Sequence, residues 1–309
     1  MKEARKRGIR TVSMPKGWDN ITKALYRFVP DVLVVQNEYM RRGAVRSQGI
    51  PREKIAVVGF PQFDWYRRPE ILLSREDYCA SVGFDPKKKI IFFGSEGRWA
   101  PHDDRIVSLL ATWVRDGAFV APCSLFVRPH FSDIKERRFD KMRGVSKDVV
   151  IDESFTVSDF FSDNWDPGVE ETKKFINLIY HMDVLVTVAS TLTLDAACFD
   201  KPIINVVFNV LHHPKTGRDN SHLLYTQDHY DWVFETDAVD LVKSKEELRE
   251  NINRYLVNPS RKSTERSVLR DTLCYKIDGR ASERLADVIR QAAGSPDALS
   301  SCTLPSFIK

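Results

Sequence analysis

Long apolar runs are missing from this sequence, and so are the marks of several large protein classes. No segment holds about eighteen or more unbroken apolar residues, which argues against a transmembrane helix. The opening stretch KEARKRGIR has no apolar core behind its charges, so no secretory signal is predicted. Internal repeats and low-complexity domains are also absent. The remaining composition is that of a soluble globular protein.

Cysteine is scarce and irregularly placed, and the charge is nearly balanced. Neither paired nor metal-ligand spacing relates the five cysteines, Cys79, Cys123, Cys198, Cys274 and Cys302. They are predicted to be reduced thiols of a cytoplasmic protein. A net charge of +4 is too small to predict nucleic-acid binding. We interpret the basic N-terminal stretch as a solvated surface helix; the alternative is a patch that binds nucleic acid or anionic lipid, the latter implying peripheral membrane association.

A polar stretch after residue 208 is rich in histidine and raises the question of a metal site. It contains His212, His213, His222 and His229. Their spacing is not the His-x-x-x-His of a zinc-binding helix, and no cysteine lies among them. No bound metal is therefore predicted.

The most informative stretch is 183–208, DVLVTVASTLTLDAACFDKPIINVVF. Its first apolar run, 184–188, is typical of a parallel strand buried on both faces. Residues 193–199 can form a helix that Lys201-Pro202 ends, and 203–208 restores a strand. This order predicts a strand, helix, strand unit of a doubly wound sheet, and therefore an α/β fold.

The junction between that strand and helix is the first candidate site. Ser190 and Thr191 place two hydroxyls at a helix N-terminus, where unpaired N–H groups can bind a phosphate or pyrophosphate. Asp195, one turn further on, could reach a ribose. The alternative is that both hydroxyls only cap the helix.

Other candidates follow other predicted strands, because open α/β sheets bind ligands beyond the carboxyl ends of their strands. Gly94 and Ser95 belong to a two-glycine loop, GSEG, that lets a ligand approach the backbone. Arg128 offers a fixed positive charge and His130 a hydrogen bond or proton transfer, with a structural role for His130 as the alternative. Asp19 lies in the loop PKGWDN and either takes part in catalysis or caps the next helix.

Several of these motifs together resemble GT-B glycosyltransferases of bacterial surface-carbohydrate synthesis. They are the run ASTLTLDA before Lys-Pro, the Trp-Asp-Asn loop, the hinge GFPQFD at 59–64, the pair His229-Tyr230 and the ending DGRASER at 278–284. The same group resembles CDP-glycerol glycerophosphotransferases and UDP-GlcNAc 2-epimerases. The resemblance covers roughly residues 1–290.

The resemblance implies roles for the candidate residues. It implies that Ser190 and Thr191 contact the donor phosphates and that Asp195 holds the ribose. Gly94, Ser95 and His229 would border the donor. Gln62 and Asp64 would face it from the hinge, with an ordinary turn as the alternative. The donor would be a UDP-, CDP- or GDP-linked sugar, the acceptor a glycan or a lipid-linked acceptor, and no cofactor would stay bound.

These observations predict a GT-B-like enzyme with a complete C-terminal Rossmann-like domain and a truncated N-terminal one. The expected boundaries are 1–64 for the acceptor-side domain, 65–290 for the donor domain and 291–309 for a disordered tail. We expect a fragment, a shortened gene product or a degenerate family member. The predicted function is metal-independent transfer from a nucleotide-sugar. A glycerophosphotransferase, a 2-epimerase and a non-catalytic nucleotide-binding remnant stay open as alternatives.

Overall fold

The computed structural model describes residues 1–23, 25–152, 168–208 and 225–294. The strands are β1 (Val12–Ser13), β2 (Val32–Val35), β3 (Ile55–Val57), β4 (Lys89–Gly94), β5 (Cys123–Arg128), β6 (Val149–Ile151), β7 (Val184–Thr187), β8 (Ile203–Val206) and β9 (Asp240–Val242). The helices are α1 (Lys2–Lys6), α2 (Asn20–Lys23), α3 (Glu38–Gln48), α4 (Arg75–Val82), α5 (Asp103–Arg115), α6 (Phe131–Glu136), α7 (Val169–His181), α8 (Leu192–Cys198), α9 (Asp228–Phe234), α10 (Lys245–Val257), α11 (Ser263–Leu269) and α12 (Ala281–Gly294).

The chain divides into two compact units. The first consists of Met1–Arg68 together with the segment that begins at Arg270, and the second of Pro69–Leu269. The expected boundaries differ from this division, because they assigned 270–290 to the second domain. The helix α12 also continues to Gly294, four residues into the expected tail. Residues 295–309 lie outside the described part of the chain.

The second unit is built on a six-stranded parallel sheet with the order β6-β5-β4-β7-β8-β9. All four residues of β7 are buried, as expected for a central strand covered on both faces. The chain adds β5 and β6 on one side of β4 and then returns to place β7 on its other side. The predicted doubly wound α/β fold is confirmed.

Each face of this sheet has its own apolar layer. One face carries Ile91, Leu125 and Val186, which pack with apolar residues of α5 and α10 such as Val107 and Ile252. On the other face the ring of Phe126 meets those of Phe84 and Phe92 edge to face, at centroid distances of 6.4 and 6.3 Å. Burial on both sides fixes the strand ends that carry the candidate site.

The first unit contains a parallel sheet with the order β1-β2-β3. On one face of it Val32, Val34 and Val58 form a small core with Ala292 of α12. This packing gives the physical reason why α12 belongs to the first unit: its apolar side covers that sheet.

Asp64 joins two motifs that lie far apart in sequence. Its carboxylate oxygens accept hydrogen bonds from the backbone N–H groups of Ala281 (2.9 Å) and Ser282 (2.7 Å), at the start of α12. Arg284 donates to the carbonyl of Val58 at 2.8 Å and pairs with Asp278. Asp64 is therefore the N-terminal cap of the last helix. The implied role facing a donor is replaced by a structural one within the first unit.

Asp64→Ala should lower the free energy of unfolding by about 2 kcal/mol, because an N-cap substitution costs up to about that amount. Asp64→Asn, which keeps one acceptor oxygen, should cost about half as much. Urea unfolding of the two variants measures the difference. No loss in Asp64→Ala would show that α12 docks without its cap.

Within the described ranges, no helix combines the length and apolar character needed to cross a bilayer. The four described cysteines, Cys79, Cys123, Cys198 and Cys274, carry free thiols.

Candidate functional site

The candidate site lies where β4 and β7 run side by side. In a doubly wound sheet the chain leaves these two neighbouring strands in opposite directions, which opens a crevice at their carboxyl ends. Phe93 of β4 pairs with Val186 of β7, and Gly94 pairs with Arg128 of β5. The loops after β4, β5 and β7 are therefore neighbours. They carry the sequence-predicted residues Gly94, Ser95, His130, Ser190 and Thr191.

The turn between β7 and α8 presents the two predicted hydroxyls. Ser190 is buried, and its hydroxyl oxygen accepts a hydrogen bond from the N–H of Leu192 at 3.3 Å. Thr191 is exposed and occupies the N-cap position, but its side chain makes no capping hydrogen bond. Asp195 lies in the first turn of α8 with 6% of its surface exposed. The capping alternative thus fits Ser190, whereas Thr191 faces outward.

Close packing joins this turn to the end of β4. A Cβ atom placed on Gly94 would lie 2.1 Å from Cδ1 of Leu192. The hydroxyl of Thr187 donates to the carbonyl of Gly94 at 2.8 Å. Glycine at 94 therefore lets α8 approach the first loop, and the two loops form one surface.

Buried hydrogen bonds between side chains connect α8 to α9 and β8. Tyr230, fully buried in α9, donates to Oδ1 of Asn205 at 2.6 Å and lies 2.9 Å from the hydroxyl of Thr193. Asn205 in turn donates to the carbonyl of Val188 at 3.2 Å. Burial raises the pKa of the Tyr230 hydroxyl, so it acts as a neutral donor. The neighbouring His229 is buried as well.

Tyr230→Phe should lower the free energy of unfolding by about 1–3 kcal/mol, because it leaves Asn205 without its buried donor. Tyr180→Phe is the matched control, since its ring belongs to an exposed side chain. Thermal or urea unfolding compares the two. Equal stability of both variants would contradict the bracing role of Tyr230.

The loop after β4 also packs closely against the loop after β5. Gly97 has a φ of +61°, and a Cβ atom there would lie 2.1 Å from Oγ of Ser132 and 2.5 Å from Nδ1 of His130. His130 caps α6, and its Nδ1 accepts a hydrogen bond from the N–H of Ser132 at 3.3 Å. The same Nδ1 lies 2.9 Å from Oγ of Ser132, so one ring nitrogen contacts both polar groups of that serine.

Beneath these loops lies a charged cluster that the sequence did not reveal. Arg138, after α6, donates to Asp133 (2.9 Å) and to the carbonyls of Gly97 (2.8 Å) and Ala100 (2.6 Å). The other oxygen of Asp133 accepts from the backbone N–H of His130 at 2.9 Å. Asp133 lies three residues after His130, a capping-box spacing that could have suggested this bond. Nothing local in the sequence predicts the bonds of Arg138.

The side chain of Arg128 is held by an acidic and an aromatic neighbour. Its guanidinium pairs with Asp152 at 3.2 Å and lies 4.6 Å from the centroid of the Phe175 ring. This ion pair borders a cavity of about 540 Å³ between the β5–β6 edge and helices α4 and α7. The phosphate role of Arg128 stays a prediction, since the bond to Asp152 uses one of the five N–H donors of a guanidinium.

Asp19 belongs to the first unit. It forms an ion pair with Lys23, while Asn20 accepts a hydrogen bond from the N–H of Gly17 at 2.7 Å. Trp18 is a core residue with 2% of its surface exposed, so it is not available to a ligand. Local hydrogen bonds and this ion pair thus hold the loop, and the carboxylate of Asp19 is partly exposed.

In the described ranges no group of three or more His, Cys, Asp or Glu side chains is arranged to hold a metal ion. Of the four histidines considered for a metal, His212, His213 and His222 lie outside the described residues.

The chain matches one protein family in sequence and several solved proteins in structure. Residues 125–291, more than half of the chain, match the family described as CDP-glycerol:poly(glycerophosphate) glycerophosphotransferase. No curated protein sequence matches the chain significantly.

Solved structures share its fold at low sequence identity. The wall teichoic acid polymerase TagF aligns with a TM-score of 0.54 and 15% identity, over 85% of this chain and 56% of the polymerase. MnaA from S. aureus, solved with UDP, gives a TM-score of 0.59 and 13% identity, over 94% of this chain and 71% of MnaA. The UDP-GlcNAc 2-epimerase from Neisseria meningitidis aligns with a TM-score of 0.54 and 13% identity, over 84% of this chain and 61% of the epimerase. The chain thus has a GT-B-like fold and spans little more than half the length of TagF.

Proposed function

The chain belongs to the CDP-glycerol:poly(glycerophosphate) glycerophosphotransferase family, and from that premise we propose that it transfers a group from a nucleoside diphosphate donor to a hydroxyl acceptor. The acceptor would be a surface polymer or a lipid-linked glycan. One observation carries the proposal: the loops after β4, β5 and β7 form a continuous surface at the switch point of the sheet, through contacts of Gly94 with Leu192 and of Gly97 with His130.

In this proposal the donor diphosphate lies against the β7–α8 turn. Thr191 supplies an exposed hydroxyl, and Ser190 shapes the turn through its bond to the N–H of Leu192. Gly94 and Ser95 border the phosphates from the neighbouring loop, and Asp195 binds the ribose hydroxyls. His229 lies in α9 beside Tyr230 and is buried to about the same degree as Asp195, and its predicted place at the border of the donor is kept in the proposal.

His130 is proposed to donate rather than accept a proton. His130 lies in the loop after β5, packed against Gly97 of the loop after β4, and a proton donated from its ring would stabilise a donor phosphate oxygen, whose negative charge grows as the leaving group departs. The base that takes the acceptor proton must then be another group. The catalytic role predicted for Asp19, which belongs to the first unit, is kept as a separate proposal. Hydrogen bonds and fixed charges, without a metal, would stabilise the leaving group.

The family match favours glycerol phosphate over a sugar as the transferred group. In glycerophosphate transfer the acceptor oxygen attacks the phosphorus next to glycerol, the bond to the other phosphate breaks, and a nucleoside monophosphate leaves. In sugar transfer the acceptor attacks the anomeric carbon, and a nucleoside diphosphate leaves. The nucleotide product therefore identifies the reaction.

The test is to incubate the purified chain with CDP-glycerol, or with UDP-GlcNAc, and a polymer or lipid-linked acceptor, and to separate the nucleotides. Release of CMP from CDP-glycerol that depends on acceptor would support the proposal. Release of UDP would instead indicate sugar transfer, and a new isomer of UDP-GlcNAc would indicate an epimerase. Nucleotide binding without any product would indicate the non-catalytic remnant. Asp195→Ala serves as the control that lacks the proposed ribose contact.

A further inference from the structure

Two buried carboxyl groups meet on one hydroxyl beneath the candidate site. Oγ of Ser95 lies 2.8 Å from Oδ2 of Asp103 and 2.7 Å from Oδ2 of Asp133. The same oxygen accepts a hydrogen bond from the N–H of Gly97 at 3.1 Å. All three side chains are buried. Three separate elements, the loop after β4, α5 and α6, therefore converge on this oxygen.

This cluster holds one proton in addition to the proton of the Ser95 hydroxyl. A serine hydroxyl can donate a single hydrogen bond, so it cannot satisfy two carboxylates at once. The second carboxyl must carry a proton and donate it to the serine oxygen. Asp133 pairs with Arg138 and accepts the N–H of His130, so Asp133 is the ionised member. The extra proton belongs to Asp103.

The environment of Asp103 agrees with this assignment. Burial raises the pKa of its carboxyl to about 7, although its contacts with the hydroxyl of Ser95 and with the N–H of Glu96 act in the opposite direction. Among the described residues, Asp103 interacts with the titratable groups of Arg138 and Asp133, from α6 and its end, and of Tyr225; on its own helix, Asp104 lies next to it and pairs with Arg138. Arg138 is the cation among them, and its hydrogen bonds hold Asp133 and two loop carbonyls.

We propose that Asp103, Ser95 and Asp133 hold one proton in addition to that of the hydroxyl, and that this extra proton holds the loop after β4 and His130 in the arrangement that binds a diphosphate. This inference rests on the proposed function, because the ligand is the donor of that reaction. Asp103 is a positioning residue: it acts through Ser95 and the N–H of Glu96. Loss of the proton leaves two carboxylates competing for one hydroxyl. It also adds a negative charge beneath the phosphates.

The direction of the pH effect follows from which state holds the proton. An unfolded aspartate ionises near pH 4, whereas folded Asp103 keeps its proton up to about pH 7. Its stabilisation of the folded chain is complete below the pKa of the unfolded state. This stabilisation is lost as the pH rises to the pKa of the folded state. Nucleotide affinity is then lost above pH 7, by no more than tenfold per pH unit for a single proton.

The first arm of the test needs no nucleotide. Urea unfolding is measured from pH 4 to 8 for the wild-type chain, for Asp103→Asn, and for Asp104→Asn, the neighbour on α5 whose side chain is 44% exposed. The ratio of the wild-type to the Asp103→Asn unfolding constant should rise by up to tenfold per pH unit between pH 4 and 7. Asp104→Asn should follow the wild type. A constant ratio would overturn the extra proton.

Where Asp103→Asn does not fold, carbon-13 NMR of aspartate carboxyl groups in the wild-type chain answers the same question. One carboxyl should titrate with a midpoint near pH 7. Titration of every carboxyl below pH 5 would overturn the proposal.

The second arm measures the affinity for CDP and UDP at pH 6, 7 and 8. The ratio of wild-type to Asp103→Asn affinity cancels the ionisation of the nucleotide itself. It should fall several-fold between pH 7 and 8. A constant ratio, with the first arm as expected, would overturn the link between the proton and the site. No binding by either protein at any pH would overturn the proposed function and that link, whereas the extra proton depends on the first arm alone.

Discussion

Arg138→Ala should lower the free energy of unfolding by about 3–5 kcal/mol, the usual cost of leaving one partner of a buried ion pair alone. The side chain of Asp133 is 1% exposed and that of Arg138 is 10% exposed, so water cannot replace the lost partner. The carbonyls of Gly97 and Ala100 lose their donor in the same substitution. Because these bonds hold both the loop after β4 and the start of α6, nucleotide affinity should fall as well.

The adjacent arginine supplies a matched control. Arg137 pairs with Asp140, but its side chain is 82% exposed, and exposed ion pairs contribute at most about 1 kcal/mol. Arg137→Ala should therefore change stability little and leave nucleotide binding intact. Similar losses in the two variants, measured by urea unfolding, would contradict the bracing role of Arg138.

Asp195→Ala should weaken nucleotide binding by about 10- to 100-fold while lowering stability by only about 1 kcal/mol. Hydrogen bonds to a charged group contribute about 1.5–3 kcal/mol, and each 1.4 kcal/mol corresponds to a factor of ten in affinity. The expected target is the ribose of the donor. Calorimetric titration together with thermal unfolding of the same preparation measures both effects.

The conservative substitution Asp195→Asn separates the loss of the carboxylate from the loss of the side chain. Asp195→Asn keeps the size and one acceptor oxygen, so its affinity should lie between those of the wild type and Asp195→Ala. If Asp195→Ala lost stability in proportion to affinity, Asp195 would be a core residue of α8, and the ribose assignment would be wrong.

The fold of the second unit could be predicted because its signals are local. The apolar run of β7, the break at Ser190 and the Lys201-Pro202 stop lie within 26 consecutive residues, and each has a direct physical meaning. The same holds for the glycine loop after β4. Parallel strands bring their carboxyl ends to one edge, so locating the strands also located the candidate site.

The remaining features depend on contacts between distant residues. Asp64 caps a helix that begins 217 residues later, so its local sequence suggested a turn at a hinge instead. The same long-range packing places α12 with the first unit and moves the boundary from the expected residue 64 to Arg68. Nothing local in the sequence marks Asp103 as part of a site. Its contact with Asp133 through Ser95 appears only once three elements are folded together.

The central claim is that the second unit binds a nucleoside diphosphate at the ends of β4, β5 and β7. Isothermal titration of the purified chain with UDP, CDP and GDP, with and without magnesium, tests it most directly. We predict micromolar affinity that differs among the three bases, does not require magnesium and is weakened in Asp195→Ala. A well-folded chain that binds none of the three nucleotides would contradict the claim.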